Sequence, residues 1–230
     1  MLASCIAESA GVPMNRACLI LPGDDFPGKQ DRMRLATLHT FVSGRPVLRK
    51  EPYYGIDLKQ KKSPTFNKTT IPRGLVQKII TSMSVHPDLP KIVAFDTFIG
   101  NADRSKENLF YNKNTDRFFG IDLERSLTYN LCEIARKQIE NMLHDRTLSF
   151  TKKEIKVFAI LQSTLCSLIK HNPPKKSLEK INDLIKIAES YGNNISNNKL
   201  CHINTMIVEG YADAEKLVVL IGKLIDSYKR

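Results

Sequence analysis

Cysteine is sparse in this chain and arranged for neither a disulfide framework nor a zinc site. Cys5, Cys18, Cys132, Cys166 and Cys201 are odd in number, widely scattered and contain no C-x-x-C pair, a usage that fits a reducing cytoplasm. The five histidines, His39, His86, His144, His171 and His202, are isolated, with no H-E-x-x-H or comparable spacing, so no transition-metal centre is expected. No apolar run reaches the roughly 18 to 20 residues that span a bilayer. The opening "MLASCIAESAGVPM" lacks a basic n-region and contains Glu8, which excludes a signal peptide. Internal repeats and long low-complexity tracts are missing, as are zinc-finger, recognition-helix and RNA-binding signatures. The expected location is cytoplasmic, and direct nucleic-acid binding has no motif behind it.

What is present describes a folded protein. The chain is 42% hydrophobic and 26% charged, a globular composition, and its 230 residues suffice for one large domain or two small lobes. A net charge of +11 and a pI near 9.4 favour anionic partners such as nucleotide phosphates, RNA or acidic lipid, while also serving solubility.

Along the chain, residues 2–10 read as a short helix with Leu2, Ile6 and Ala10 on one face, stopped by Gly11 and Pro13. Residues 17–21 and the stretch near "VLRK" are strand candidates around the turn-rich "PGDDFPGKQ". "LATLHTFVSGRPV" reads as a connector following a buried strand, and "KQKKSPTFNK" (59–68) as an exposed basic loop. From Pro72 the spacing of Leu75, Ile79 and Met83 predicts a helix. Asp88 and Pro90 suggest the cap and first turn of another, carrying Ile92, Phe95 and Phe98 or Ile99 and ending at Gly100. Further helices are expected over 131–143, 152–171, 176–191 and 208–228, with core stripes such as Ile155, Phe158, Leu161, Leu165 and Leu168. The expectation is a small mixed head (1–55) followed by a larger helical body (56–230).

Residues 94–127, "AFDTFIGNADRSKENLFYNKNTDRFFGIDLERSL", carry the chemistry. "NLFYNKNTDRFFGID" places two short strand-forming runs around the polar turn "NKNTD", a hairpin signal. A turn centred near Thr115 sets Leu109 opposite Ile121 and Asn108 opposite Asp122, with Cβ atoms about 4.5 to 5.5 Å apart. A carboxamide oxygen and a carboxylate so placed can share one magnesium ion, which prefers oxygen ligands and takes others from water and substrate phosphates. Asp103 precedes Asn108 by five residues, the spacing at which a kinase catalytic loop sets its proton-accepting aspartate and metal-binding asparagine. Read without that context, an Asn/Asp-rich turn capping its own backbone is the plainer account.

"FDTFIGNADRSKENLFYN" followed by "FFGIDLERSL" resembles the catalytic and metal-binding segments of the HipA-like kinases, a bacterial branch of the protein-kinase-like fold. "LASCIAESAGVPM" and "ATLHTFVSGRPV" resemble that family's helix beside the nucleotide and its interlobe segment. The resemblance implies an α+β, protein-kinase-like fold: a partial N-lobe of strands plus one helix, and a mainly helical C-lobe with a catalytic β-hairpin. It implies Asp103 as catalytic base, Asn108 as metal-binding asparagine and Asp122 as principal magnesium aspartate, with ATP and Mg2+ as cofactors. It further implies a serine/threonine kinase, of the kind that serves as the toxin of a toxin-antitoxin pair with an antitoxin partner, acting on a protein such as an aminoacyl-tRNA synthetase.

Two features depart from the family. Ser105 stands where many relatives place histidine. The family's glycine-rich phosphate loop and its lysine precede the helix matched here by residues 2–10, whereas Lys29 and Lys50 follow it. The sequence leaves open a longer gene product, a completing chain, or a degraded kinase. Glu8 is either the acidic partner of such a lysine or a solvent-facing glutamate. A phosphoinositide kinase meeting acidic membrane lipid through residues 59–68, and a non-catalytic nucleotide- or partner-binding module, are the alternatives.

Overall fold

A computed structural model describes residues 1–20, 36–39, 45–46, 86–104, 108–145, 147–192 and 194–228. The predicted helix beginning at Pro72, the strand candidate at 47–50, the basic loop at 59–68, and Lys29 and Lys50 lie outside them. Numbered over the described elements, the order is α1 (Leu2–Ser9), β1 (Ala17–Ile20), β2 (Ala36–His39), β3 (Arg45–Pro46), α2 (Asp88–Phe98), β4 (Leu109–Asn112), β5 (Arg117–Gly120), α3 (Leu131–His144), α4 (Lys152–His171), α5 (Pro174–Ser190) and α6 (Asn197–Ser227). The chain is mixed helix and strand, and mostly helical. Among the described residues no helix is long and apolar enough to cross a membrane.

β1 and β2 form an antiparallel pair, Ala17 opposite His39, and β3, β4 and β5 a second antiparallel sheet in that order. Met14 adds a parallel bridge to Gly120 on the outer side of β5. The core lies among the helices. Ile92, Phe95 and Ile99 of α2 and its C-terminal edge are buried, as are Phe158, Leu165 and Leu168 of α4 and Leu217, Ile221 and Leu224 of α6. Helix α2 packs on α4, while α6 packs on both α3 and α4. The expected stripes therefore do bury, with Ile155 and Leu161 packed at the margin.

Three helix starts differ from expectation. Helix α6 begins near residue 197 rather than 208, because the Ser196 side chain accepts from the Lys199 N–H and Leu200, Ile203 and Ile207 extend the apolar stripe backwards. Helix α5 begins at Pro174, since a first-turn residue needs no N–H. Asp88 does not cap its own helix: the N-cap is Pro87, without a side-chain cap. Its buried carboxylate instead accepts from Arg117 Nε at 2.6 Å and from the Phe118 N–H at 3.1 Å. Helix α2 is thus riveted to the hairpin.

At its other end, α2 stops at Gly100, whose φ of +65° is a left-handed C-terminal turn. A Cβ there would lie 2.0 Å from the Tyr129 carbonyl oxygen, and the adjacent Ile99 carbonyl accepts from the Leu127 N–H at 2.6 Å. Gly100→Ala is expected to destabilise the protein by about 3 kcal/mol, combining left-handed strain with displacement of backbone. Urea unfolding checks this; a loss below about 0.5 kcal/mol would be ordinary surface behaviour and would contradict it.

Cys132, at the start of α3, is fully buried and donates its Sγ–H toward the Thr97 carbonyl. Burial, and secondarily the charge of Asp213, push its thiol from 9.0 up to about 12. The native state then keeps a proton that the unfolded chain loses, so stability falls as pH rises between those values, by about 1.4 kcal/mol per pH unit. Urea midpoints at pH 8 and 10.5 should fall more steeply for the parent than for Cys132→Ala; parallel slopes would refute the effect.

Candidate active site

The loop after α2 is built on its own carboxamide. Asn101 is buried; its Nδ2 donates to Asp96 Oδ1 at 2.9 Å, and its Oδ1 accepts from the Asp103 N–H at 3.2 Å. These bonds hold the Asp103 backbone against α2 while the carboxylate stays partly open, its side chain 23% exposed. Arg125 approaches it, Nε to Oδ2 3.4 Å.

Arg104 is the hub. Its Nε and Nη2 donate to the two oxygens of Asp96 at 2.8 and 2.9 Å, a fork-on-fork pair with both side chains under a tenth exposed. Its Nη1 donates to the Asn108 carbonyl at 2.7 Å and also to the Ile121 carbonyl. One guanidinium therefore joins α2 to the entry of β4 and the exit of β5. Gly120 leaves the room: a Cβ there would come within 3.1 Å of Arg104 Cζ.

The hairpin register differs from expectation by one residue. Leu109 pairs with Gly120, Tyr111 with Phe118 and Asn112 with Arg117, so Asn108 faces Ile121, whose N–H donates to the Asn108 carbonyl at 2.9 Å. The cause is a turn that starts early. Asn112 Oδ1 accepts from the N–H groups of Asn114 and Thr115, and Asp116, at φ +48°, closes a four-residue loop. A one-residue shift exchanges the faces of a strand: Phe118 turns inward against Tyr111 and His86.

Asn108 and Asp122 are consequently not cross-strand partners. Asp122 lies just past the end of β5 at φ +58°, a conformation that aspartate tolerates better than most residues and that recurs at functional sites. Asp122 Oδ1 accepts weakly from the Glu124 N–H, at 3.4 Å. Asn108 donates Nδ2 to the Asp103 carbonyl at 3.1 Å, which leaves its Oδ1 without a hydrogen bond among the described residues. A carboxamide oxygen and a carboxylate are the hard donors that suit magnesium, and a pair of them fits an ion that draws its remaining ligands from water and phosphate. Among the described residues no three His, Cys, Asp or Glu side chains gather into a metal-binding group. Glu8 is exposed and pairs with Arg16 at 3.0 Å.

Asp96, Asn101 and the hub role of Arg104 were not legible as site residues. One signal does exist: Asp96 is an acid beside Phe95 in the apolar stretch of a helix whose other buried acid, Asp88, lies at its first turn, and a buried acid calls for a cation. Comparison with family models, curated proteins and solved structures found no match to this chain.

Proposed function

We propose that this chain is an ATP- and magnesium-dependent kinase of the HipA-like kind, transferring the γ-phosphate of ATP to a serine or threonine hydroxyl of a protein. The observation that carries the reading is the Arg104 junction, which gives one buried group control over both the loop bearing Asp103 and the strand ends bearing Asn108 and Asp122. Phosphoryl transfer depends mainly on such positioning and on charge neutralisation. In this reading Asp103 accepts the hydroxyl proton as the new O–P bond forms and the bond to the departing ADP breaks. Asn108 and Asp122 would hold the magnesium ion, which supplies neutralisation of phosphate charge. Asn101 and Asn108 keep Asp103 at a fixed height through its backbone N–H and carbonyl.

The test is the carboxylate of the clamp. Asp122→Asn should weaken ATP binding by about tenfold or more in calorimetry with magnesium present, because a charged ligand becomes neutral. In magnesium-free buffer the two proteins should differ little. Equal affinity with magnesium removes the clamp.

A further inference from the structure

Arg125 sits in the turn after Asp122 in a way that bears on what can approach Asp103. The turn is fixed: the Ser126 N–H and hydroxyl both donate to the Leu123 carbonyl, and the Thr128 hydroxyl donates to the Arg125 carbonyl. The arginine side chain itself is 71% exposed, yet its Nε lies 3.4 Å from Asp103 Oδ2. It is therefore an accessible cation held over the carboxylate by an ion pair of the weak, solvent-screened kind. A hydroxyl that gives its proton to Asp103 must come within about 2.6 to 3.2 Å of a carboxylate oxygen, and at Oδ2 it meets Arg125.

We infer that Arg125 is a specificity-determining residue, which releases Asp103 by pairing with an acidic residue next to the serine or threonine that docks there. This rests on the reading of Asp103 as the base. A peptide bringing its own carboxylate exchanges one ion pair for another, whereas a neutral or basic flank must break the existing pair without replacement. Geometry sets the distance along the substrate. With the guanidinium beside Asp103 and about 3.3 to 3.6 Å per extended residue, the acid belongs within about two residues of the acceptor. The local charges favour a single carboxylate over a membrane: Asp122 and Glu124 closely precede Arg125, and both are exposed. An anionic lipid surface would meet those acids as well as the arginine, while one side chain can select the arginine alone. The chain's net charge of +11 draws an acidic segment in from longer range.

Binding tests this without requiring transfer. Fluorescently labelled serine peptides with aspartate at the flanking positions, with glutamine there, and with lysine there would be titrated by anisotropy into the parent, Arg125→Glu and Asp103→Asn, alongside vesicles containing phosphoinositide. The acidic peptide should bind the parent about tenfold more tightly than the glutamine peptide, and Arg125→Glu should erase or reverse that preference. Asp103→Asn should strengthen binding of the acidic peptide several-fold because it frees the arginine, and the gain should vanish in Asp103→Asn/Arg125→Glu, which separates release of the arginine from the mere loss of a negative charge. Equal binding of the three peptides, a preference surviving in Arg125→Glu, or no gain in Asp103→Asn overturns the inference. So does Arg125-dependent capture of the vesicles with no peptide preference. A parent showing the predicted pattern while transferring no phosphate would refute the kinase reading and leave the recognition of acidic segments standing.

Discussion

Asp103→Ala will abolish phosphate transfer to protein and leave the affinity for ATP within a few-fold of the parent. A base is needed only when the acceptor hydroxyl attacks, whereas the clamp residues already act when nucleotide is held, so binding and turnover separate at this residue. Two contacts support this expectation. Asp103 presents a carboxylate to solvent and to Arg125, while the loop is held through Asp103 backbone atoms that survive the substitution. Transfer of labelled phosphate and calorimetry on the same preparation check the two halves. A mutant as fast as an active parent shows that Asp103 is not the base. A parent that binds ATP and labels no substrate reduces the reading to a nucleotide-binding module.

The second large effect is structural. Arg104→Met is expected to cost about 3 to 5 kcal/mol, since it leaves the Asp96 carboxylate charged and buried beside an apolar chain. It also takes the guanidinium donor from the Ile121 carbonyl and one of the two donors from the Asn108 carbonyl, which keeps the Ile121 N–H. Arg104→Met/Asp96→Leu should recover a good part of that loss, because the orphaned charge goes too, but it should not recover ATP binding, since the guanidinium bridge from α2 to the Asn108 and Ile121 carbonyls stays broken. Denaturant midpoints for the single and double variants form the cycle. A single variant within about 1 kcal/mol of the parent would show that Arg104 is not the junction described.

The helices could be read from sequence because their apolar spacing is local information: Phe158, Leu165 and Leu168 announce a face whatever it packs against. Where a polar run sat on the same helix, as over 197–207, the spacing was diluted and the start was placed too late. The hairpin was recognisable, but its register hung on one side-chain acceptor, Asn112 Oδ1, which takes the N–H groups two and three residues on, and a pattern of residue types does not reveal when a turn begins. Asp88 shows the same limit. An aspartate before a proline at a helix start is ordinarily a cap, and only tertiary structure brings a strand N–H close enough to claim it. Asp103, Asn108 and Asp122 were proposed from the spacing of Asp103 and Asn108 and from the hairpin that follows. The residues that hold them, Asp96, Asn101 and Arg104, join positions on either side of Gly100, and nothing in their spacing announces that junction.

The outer side of β5 has one more consequence. Its two outward-pointing N–H groups are both taken: Phe118 donates to the Asp88 carboxylate and Gly120 to the Pro13 carbonyl, while the Gly120 carbonyl accepts from Asn15. An extended peptide can therefore gain no ladder of backbone bonds there, which is how strand-adding partners and edge-to-edge aggregates take hold. The sheet that carries the candidate site therefore cannot grow on that flank by recruiting a second copy of itself.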